Sequence, residues 1–334
     1  MATRVSVIDM VVGQTYANVY ILKQHAIKQT KQGTNYIDLV LQDKTGEMPG
    51  KLWTIPPSLN LDNLQDSDYI VLQFSVEDYQ GNKQAKILNI REVKETDKFD
   101  KNDLIPVAPE PVEKMYDELM NTAQGFNSTP LKKVVTTALK ENKEVLLTMP
   151  GAKSVHHAVL GGLLLHTCGM LRTAKAITSV YPTVRKEVLY AGVIIHDIAK
   201  IKEFQTGPIG LVTDYSTSGK LLGHIHMGAK YIGDLCEKLD IDPEISTILQ
   251  HMILSHHGIP EHGSAVTPMF LEAELLHLCD RIDSRVYMYN EAIKDTPVGE
   301  FSSKVFALDN KQIYNFKWDE NDGLNTDLDD DGLY

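Results

Sequence analysis

Histidines and aspartates that could bind metal ions are concentrated in the second half of the chain. Eleven of the twelve histidines lie between residues 156 and 277. Several of them end or begin apolar helical segments, as in GGLLLH, GVIIHD, LLGH and MILSHH. Neutral imidazoles combined with carboxylates are a ligand set that suits zinc, iron or manganese. The residues that this pattern marks as metal ligands are His166, His196, Asp197, His224, His256, His257 and Asp280.

Further side chains near these residues are candidates for contact with a substrate. Lys200 follows Asp197 by three residues, which places both on one face if a single helix continues through this segment. We predict that both are catalytic and that Lys200 meets a phosphate oxygen; the alternative is a solvated lysine at a helix end. His157 is predicted to contact substrate, as His156 could, and a structural role at a helix start is the alternative for each.

Apolar residues at three- and four-residue spacing predict that the chain is helical from about residue 112 onward. The clearest segments are 131–150, 161–181, 186–204, 224–239, 244–258 and 268–293. A lone histidine on an apolar face is usually a satisfied core residue, and we expect this of His251 and His277. Strands do not alternate with these segments and no glycine-rich phosphate loop occurs, which argues against a nucleotide-binding α/β fold.

Residues 15–95 are instead rich in β-branched side chains and alternate apolar with polar positions, which predicts strands. Five segments fit this pattern: 16–29, 35–43, 47–53, 69–79 and 83–93. The loop QGN predicts a hairpin between the last two, and residues 56–68 predict a loop or short helix after the third. Five strands with an excursion after the third match the order of an OB-fold barrel.

Exposed aromatic and basic side chains of such a barrel can bind single-stranded nucleic acid by stacking and by charge. The stretch YIDLVLQDKTGEMPGKLW (36–53) resembles one found in nucleic-acid-binding OB domains. We predict that Tyr36, Trp53 and Lys51 contact the substrate. For every aromatic side chain, a place in the barrel core is the alternative. The other candidates are Phe74, Tyr79, Lys31 and Lys83.

Composition and charge predict a cytoplasmic protein without a membrane segment. Of the 334 residues, 43% are hydrophobic and 23% are charged, and no apolar run is long enough for a membrane span. The first residues lack the form of a signal peptide, and three widely spaced cysteines favour a reducing compartment. The net charge is −12, but residues 309–334 contain eight acidic residues and two lysines, so a nucleic-acid partner is not excluded.

The candidate ligands stand in the order H…HD…H…HH…D, which resembles the two-metal branch of the HD superfamily of metal-dependent phosphohydrolases. With an N-terminal OB domain, the chain resembles the YhaM-type 3′→5′ exoribonuclease family. This resemblance is carried by the blocks HHAVLGGLLLHT, HDIAKIKEF, GHIHMGA, SHHG and EAELLHLCDRIDS. It implies hydrolysis of phosphodiester bonds in single-stranded RNA, with single-stranded DNA as a further substrate.

The resemblance also implies a binuclear metal site. One cation would be held by His166, the pair His196–Asp197 and Asp280. Asp197 would bridge to a second cation, which is held by His224 and the pair His256–His257. Two cations so placed neutralise a phosphodiester and activate water. The implied cofactors are two divalent ions per chain, with Mn²⁺ expected and iron or zinc as alternatives.

The predicted fold class is multidomain α and β, a five-stranded OB-fold barrel followed by an all-α HD-type helical domain. A proline cluster at residues 106–111 marks the boundary region. We assign residues 1–95 to an OB-fold nucleic-acid-binding domain, 96–130 to a linker with a helical start, 131–305 to the HD-type domain and 306–334 to an acidic, flexible tail. No membrane partner is expected, and a homo-oligomer is allowed.

The sequence leaves two other functions open. The order of ligands alone also permits a phosphodiesterase for cyclic dinucleotides or free nucleotides. The paired histidines are followed by HHGIPEHG without a GYP motif, and the OB domain favours a polymeric substrate. A nucleic-acid-binding regulator with a decayed HD domain is the non-enzymatic alternative, which the presence of all seven candidate ligands disfavours.

Overall fold

The computed structural model describes residues 5–57, 59–66, 68–79, 81–153, 157–294 and 296–318. Contacts within the chain divide it into two compact units. The barrel unit consists of Met1–Val107 and Gln205–Asp214, and the helical unit of Ala108–Phe204 and Tyr215–Tyr334. Among the described residues, no helix has the length and apolarity that crossing a membrane requires.

Five strands form a closed barrel in the order β1-β2-β3-β5-β4. Neighbouring strands are antiparallel except β3 and β5, which are parallel, and β4 pairs with β1 to close the barrel. This topology confirms the predicted OB-fold. The strands are β1 (Thr15–Gln29), β2 (Asn35–Asp43), β3 (Gly46–Leu52), β4 (Asp68–Tyr79) and β5 (Asn82–Glu92).

The barrel core follows from the alternation of the strands, because successive side chains point to opposite faces. In β4, the inward positions Leu72 and Phe74 are fully buried. The Phe74 ring packs against Tyr20 at 5.4 Å between ring centroids. Phe74 is therefore a core residue, and its candidacy for contact with nucleic acid was wrong.

Eight α-helices and a small hairpin, besides short 3₁₀ helices, occur in the rest of the described residues, and the predicted helical character of the second domain is confirmed. The helices are α1 (Val112–Gln124), α2 (Thr129–Leu146), α3 (Gly162–Val180), α4 (Lys186–Ile195), α5 (Lys200–Glu203), α6 (Thr217–Lys238), α7 (Pro243–Ser255) and α8 (Leu271–Lys294). The hairpin strands are β6 (Phe204–Thr206) and β7 (Val212–Tyr215).

The helix predicted over residues 186–204 is broken at the HD pair. Helix α4 ends at Ile195, and the next turns are closed by bonds from the Ile198 amide to the Ile195 carbonyl and from the Lys200 amide to the Asp197 carbonyl. Such three-residue bonds tighten the chain relative to an α-helix. His196 and Asp197 therefore lie in a turn between two helices, and the expected continuous helix is wrong here.

The predicted domain boundaries stay predictions. Helix α1, inside the predicted linker, groups with the helical unit. Residues 306–318, inside the predicted tail, contain a short 3₁₀ helix at Phe306–Leu308, and the Leu308 side chain is buried. The remainder of that tail, residues 319–334, lies outside the described residues, as does His156.

Candidate metal centre and nucleic-acid surface

The Asp197 carboxylate stands between two groups of histidines and turns one oxygen toward each. Its Oδ2 atom lies 3.2 Å from Nε2 of His196 and 3.8 Å from Nε2 of His166. Its Oδ1 atom lies 3.4 Å from Nε2 of His224 and 3.7 Å from Nε2 of His256. One carboxylate therefore faces two separate sets of nitrogen atoms, which is the geometry that a bridging ligand requires.

The structure brings all seven predicted metal ligands into this cluster. Ligand atoms of His166, His196 and Asp197 lie within 4.8 Å of one another. Those of His224 and the pair His256–His257 form a second set of the same size. Asp280 joins the first set, with Oδ1 3.4 Å from Nε2 of His166. Both sets could hold a metal ion, and the assignment of each residue as a ligand stays a prediction.

Two of the histidines are oriented by main-chain carbonyls at the ends of their own helices. His196 follows α4, and its Nδ1 donates to the carbonyl of Val193 at 2.8 Å. His256 follows α7, and its Nδ1 donates to the carbonyl of Ile253 at 2.7 Å. The last carbonyls of a helix have no intrahelical partner, so they can accept these bonds. Because Nδ1 carries the proton, Nε2 presents its lone pair toward Asp197 in both residues.

The other two histidines near Asp197 are held by carboxylates that we did not predict. Nδ1 of His166 lies 2.6 Å from Oδ2 of Asp283. Nδ1 of His224 lies 3.0 Å from both oxygens of Glu203. Asp283 could have been suspected, since it follows the candidate ligand Asp280 by three residues in DRID and shares its helix face. Nothing in the sequence distinguishes Glu203 as a partner of a histidine.

Several buried atoms that face the cluster have no hydrogen-bond partner among the described residues. They are Nε2 of His196, His224 and His256, and Oδ1 of Asp197. A buried polar atom without a partner costs free energy of about 1–3 kcal/mol, and native structures seldom keep several together. Lone pairs of imidazole and carboxylate, converging in this way, fit a divalent cation.

The charges of the cluster favour ionised carboxylates and neutral histidines around Asp197. Burial alone would raise the pKa of Asp197, but the positive charge of Lys200 and the contacts with His196 and His224 together outweigh burial and hold the pKa well below its usual range. Burial, and then the neighbouring His257, depress the pKa of His256 well below its usual value. Burial also lowers the pKa of His257. Both histidines are therefore neutral near pH 7, as metal ligation requires.

The pKa of His166 is shifted in the opposite direction to those of His256 and His257. Burial would lower its pKa, but hydrogen bonds to Asp280 and Asp283 outweigh burial and raise the pKa to about 10. Without a metal, the imidazole is protonated near pH 7 and bridges the two carboxylates. Ligation of a cation through Nε2 must therefore displace a proton from this residue.

Lys200 is buried within the cluster. Its Nζ atom lies 2.7 Å from Oδ2 of Asp197 and donates to the carbonyl of Gly151 at 3.0 Å. Burial opposes the charge, but Asp197 outweighs it and raises the pKa of Lys200, so the ammonium is protonated. The alternative of a solvated lysine is wrong, and the predicted contact with a phosphate oxygen stays a prediction.

His157 lies beside His166, with the two ring centroids 5.4 Å apart. The backbone is left-handed, with φ of 54°, and the side chain is buried with its ring 4.3 Å from that of Tyr287. Its Nε2 lies 2.8 Å from Oδ2 of Asp283, the oxygen that also bonds His166. Ligands of one metal lie roughly 3 Å or more apart, so these distances describe a hydrogen-bonded relay. The predicted contact of His157 with substrate stays a prediction.

The two histidines expected to be structural have partners in the protein. His277 bonds the carbonyl of His256 through Nδ1 at 3.0 Å. His251 accepts from the amide of Met269 through Nε2 at 3.1 Å. Neither residue belongs to the sets of ligand atoms around Asp197.

In the barrel unit, the predicted substrate-binding residues form one surface group, which we name the aromatic cluster: Tyr36, Lys51, Trp53 and Tyr79. The rings of Tyr36 and Trp53 lie 4.9 Å apart between centroids. Nζ of Lys51 lies 5.9, 5.3 and 5.7 Å from the ring centroids of Tyr36, Trp53 and Tyr79. Trp53 is 46% exposed and Tyr79 is 54% exposed. Lys83 donates instead to the carbonyl of Ile8, and Lys31 stays a prediction.

Comparisons with known proteins agree with this architecture. The HD domain family model matches residues 163–285. A 3′-5′ exoribonuclease YhaM from Listeria welshimeri is 37% identical over 309 residues, which is 92% of this chain and 97% of that protein. The 3′-5′ exoribonuclease YhaM of Bacillus subtilis is 34% identical over 305 residues, 91% of this chain and 95% of that protein.

Among solved structures, the second OB-fold domain of replication protein A from Methanococcus maripaludis is 15% identical and covers 28% of this chain and 98% of that chain, with a TM-score of 0.23. The family is established by the two relatives, which this chain matches over almost their whole length. The chain therefore belongs to the YhaM family of HD-domain proteins.

Proposed function

We propose that this protein is a metal-dependent 3′→5′ exoribonuclease that hydrolyses single-stranded RNA at a binuclear centre built around Asp197. The observation that supports it is the division of the Asp197 oxygens between two groups of histidines. The relatives that match the chain are named 3′-5′ exoribonucleases, which supplies the reaction and its direction.

The residues of the helical unit fit two cations that share Asp197. His166, His196 and Asp280 would complete one half-site, and His224 and the pair His256–His257 the other. When bound, two divalent ions supply charge neutralisation at a phosphodiester and the activation of water. We propose Mn²⁺, because mixed imidazole and carboxylate ligands suit manganese, and iron and zinc are the competing choices.

Lys200 contributes a fixed positive charge to the same place. The ammonium is protonated, buried and held by Asp197 and the carbonyl of Gly151. Negative charge spreads over the phosphate oxygens during phosphoryl transfer, and a preorganised cation stabilises it. Lys200 therefore acts on the transition state, whereas the histidines hold the metals.

The aromatic cluster of the barrel unit is proposed to bind the RNA strand. Tyr36, Trp53 and Tyr79 offer ring faces on which bases stack, and Lys51 offers a charge for the phosphate backbone. Stacking does not depend on a particular base, so we expect little sequence preference. Single-stranded DNA is expected to bind as well, because none of these contacts requires a 2′-hydroxyl.

The test is digestion of a single-stranded RNA oligonucleotide labelled at its 5′ end, with Mn²⁺ or with EDTA. We expect a ladder of shortened products that needs the metal, and early release of the label as a mononucleotide when the 3′ end is labelled instead. Asp197→Asn should abolish turnover and leave RNA binding intact. Asp234→Asn is the matched control, because that exposed carboxylate pairs only with Lys230 among the contacts that the structure describes. Hydrolysis of cyclic dinucleotides without shortening of RNA would reject the proposal.

A further inference from the structure

Each proposed half-site contains one histidine oriented by its own helix end and one oriented by a side-chain carboxylate. In the first half-site these are His196 and His166, and in the second they are His256 and His224. The carboxylates are Asp283, from α8, and Glu203, from the end of α5. The same division occurs twice although the four histidines come from four different segments of the chain.

The position of each histidine along its helix explains this division. His196 and His256 follow the last residue of a helix, where free carbonyls are available to Nδ1. His166 is the fifth residue of α3, and the carbonyls of the turn before it accept the helical bonds of later residues. Its Nδ1 can therefore be satisfied only by a group from another element, which is Asp283.

His224 stands at the start of a new helical segment. Gly223, with φ of 69° and ψ of 159°, kinks α6 directly before it. The amide of His224 then lacks a preceding helical carbonyl, and it donates to Oε1 of Glu203 at 2.9 Å. Both oxygens of the same carboxylate lie 3.0 Å from Nδ1 of the ring. Glu203 thus fixes the backbone and the imidazole of one residue.

We propose that Glu203 and Asp283 are positioning residues of the metal centre, one for each half-site. Each carboxylate accepts the Nδ1 proton of its histidine, fixes the tautomer with Nε2 as the metal ligand, and raises the basicity of that nitrogen. The inference rests on the proposed function, since it assigns these residues to the binding of the two cations.

The structure of α3 supplies a separate way to disturb Asp283. A Cβ atom added at Gly169 would lie 2.1 Å from Oδ1 of Asp283, so an alanine there must displace the carboxylate. Glycine to alanine inside a helix otherwise stabilises the helix by about 1 kcal/mol. Gly169→Ala therefore removes no functional group and changes only the position that the Asp283 carboxylate can occupy.

The experiment measures Mn²⁺ binding to the full chain by titration calorimetry, with folding checked by circular dichroism. Glu203→Ala and Asp283→Ala should each weaken one of two sites by about 10- to 100-fold. Gly169→Ala should weaken the same site as Asp283→Ala. In the control Glu272→Gln, a buried carboxylate of α8 that accepts from the amide of Arg185 is changed, and both sites should keep wild-type affinity.

A second comparison separates positioning from a general loss of packing. If Glu203 acts through His224, then Glu203→Ala should have no further effect on Mn²⁺ affinity in a His224→Ala background. Equal losses in both backgrounds, or wild-type affinity in Glu203→Ala and Asp283→Ala, overturn the inference alone. A similar loss in Glu272→Gln overturns it as well. Absence of Mn²⁺ binding to the wild type instead removes the proposed function, and the inference with it.

Discussion

The ammonium of Lys200 lies 2.7 Å from Oδ2 of Asp197, and both side chains are buried. The same oxygen faces Nε2 of His196, so a lysine and a proposed metal compete for one atom. This arrangement separates two quantities that are usually lost together, metal affinity and turnover.

Lys200→Met should lower kcat by about 100-fold without weakening Mn²⁺ binding. Removing the ammonium takes away a charge that stabilises the transition state, which is worth roughly 3 kcal/mol for a preorganised group. It also frees Oδ2 of Asp197 for the cation. Lys202→Met is the control, because the exposed Lys202 lies over the ring of Tyr231 at 5.2 Å. Loss of Mn²⁺ binding in Lys200→Met would show that the lysine is structural.

Metal binding should release protons, because His166 is protonated in the metal-free protein. Its pKa of about 10 exceeds the ordinary value, so the proton is present at pH 7 and must leave when Nε2 binds a cation. We expect about one proton per chain from this residue, and an apparent affinity that rises up to about tenfold per pH unit between pH 7 and 9. Calorimetry in two buffers of different ionisation enthalpy measures it. Equal heats in the two buffers would contradict the prediction.

The stability of the metal-free protein should fall as the pH is lowered through about 6.5. Burial lowers the pKa of His157, His256 and His257, so these side chains stay neutral in the folded state while the unfolded chain takes up protons. The unfolded state is then favoured by up to about 1.4 kcal/mol per pH unit for each such group. His166 acts in the opposite direction above about pH 6.5, because its raised pKa keeps it protonated in the folded state while the unfolded chain is still taking up that proton. It offsets up to one of the three groups there, and below about pH 6.5 its contribution is constant because both states are protonated.

Urea unfolding at pH 7.5, 6.5 and 5.5, with the metal removed, measures this effect. His256→Gln should flatten the dependence on pH, since one of the three groups is absent. Mn²⁺ at 100 times its dissociation constant should add about 2.7 kcal/mol to the free energy of unfolding at pH 7.5. A free energy of unfolding that does not change between pH 7.5 and 5.5 would argue that these histidines are solvated.

The sequence was sufficient to predict those features that depend on residue type and on the local spacing of apolar residues. The strand β2 was predicted at its observed bounds from the interleaving of Tyr36, Leu39 and Leu41 with polar residues. The buried positions of the strand include Ile37, Leu39 and Leu41, so Ile37 and not Tyr36 belongs to the barrel core. The metal-ligand candidates were found because several histidines lie at the ends of apolar helices. Burying an imidazole there costs free energy unless it has a partner such as a metal ion. Neither inference needed knowledge of how distant segments pack.

The positions of Glu203 and Asp283 depend on that packing. A carboxylate on a helix is ordinary, and only the folded chain shows that Glu203 meets the kink at Gly223 or that Gly169 leaves room for Asp283. The turn at His196 and Asp197 escaped prediction for a related reason. The helical spacing of apolar residues continues through this turn. The helix is broken by main-chain hydrogen bonds between residues three apart, which no local sequence pattern indicates.

Trp53→Ala should weaken binding of single-stranded RNA by about 1–3 kcal/mol, which is the value of one stacked base. Trp53 is half exposed, and its ring lies 4.9 Å from that of Tyr36 between centroids. Lys51→Met should weaken binding and lower the slope of log affinity against log salt by about one, as expected for one phosphate contact. Fluorescence anisotropy of a labelled oligonucleotide at 50 to 300 mM salt, with EDTA to prevent cleavage, separates the two effects.

The matched control for these variants is Tyr181→Ala, which removes an exposed aromatic ring at the end of α3 in the helical unit. If Tyr181→Ala lowers affinity as much as Trp53→Ala, general exposure of aromatic surface explains binding. If Lys51→Met changes affinity equally at all salt concentrations, the lysine orders the rings and does not meet a phosphate. If only the barrel variants lose affinity, and Lys51→Met alone changes the salt slope, the aromatic cluster binds RNA through stacking on Trp53 and charge on Lys51.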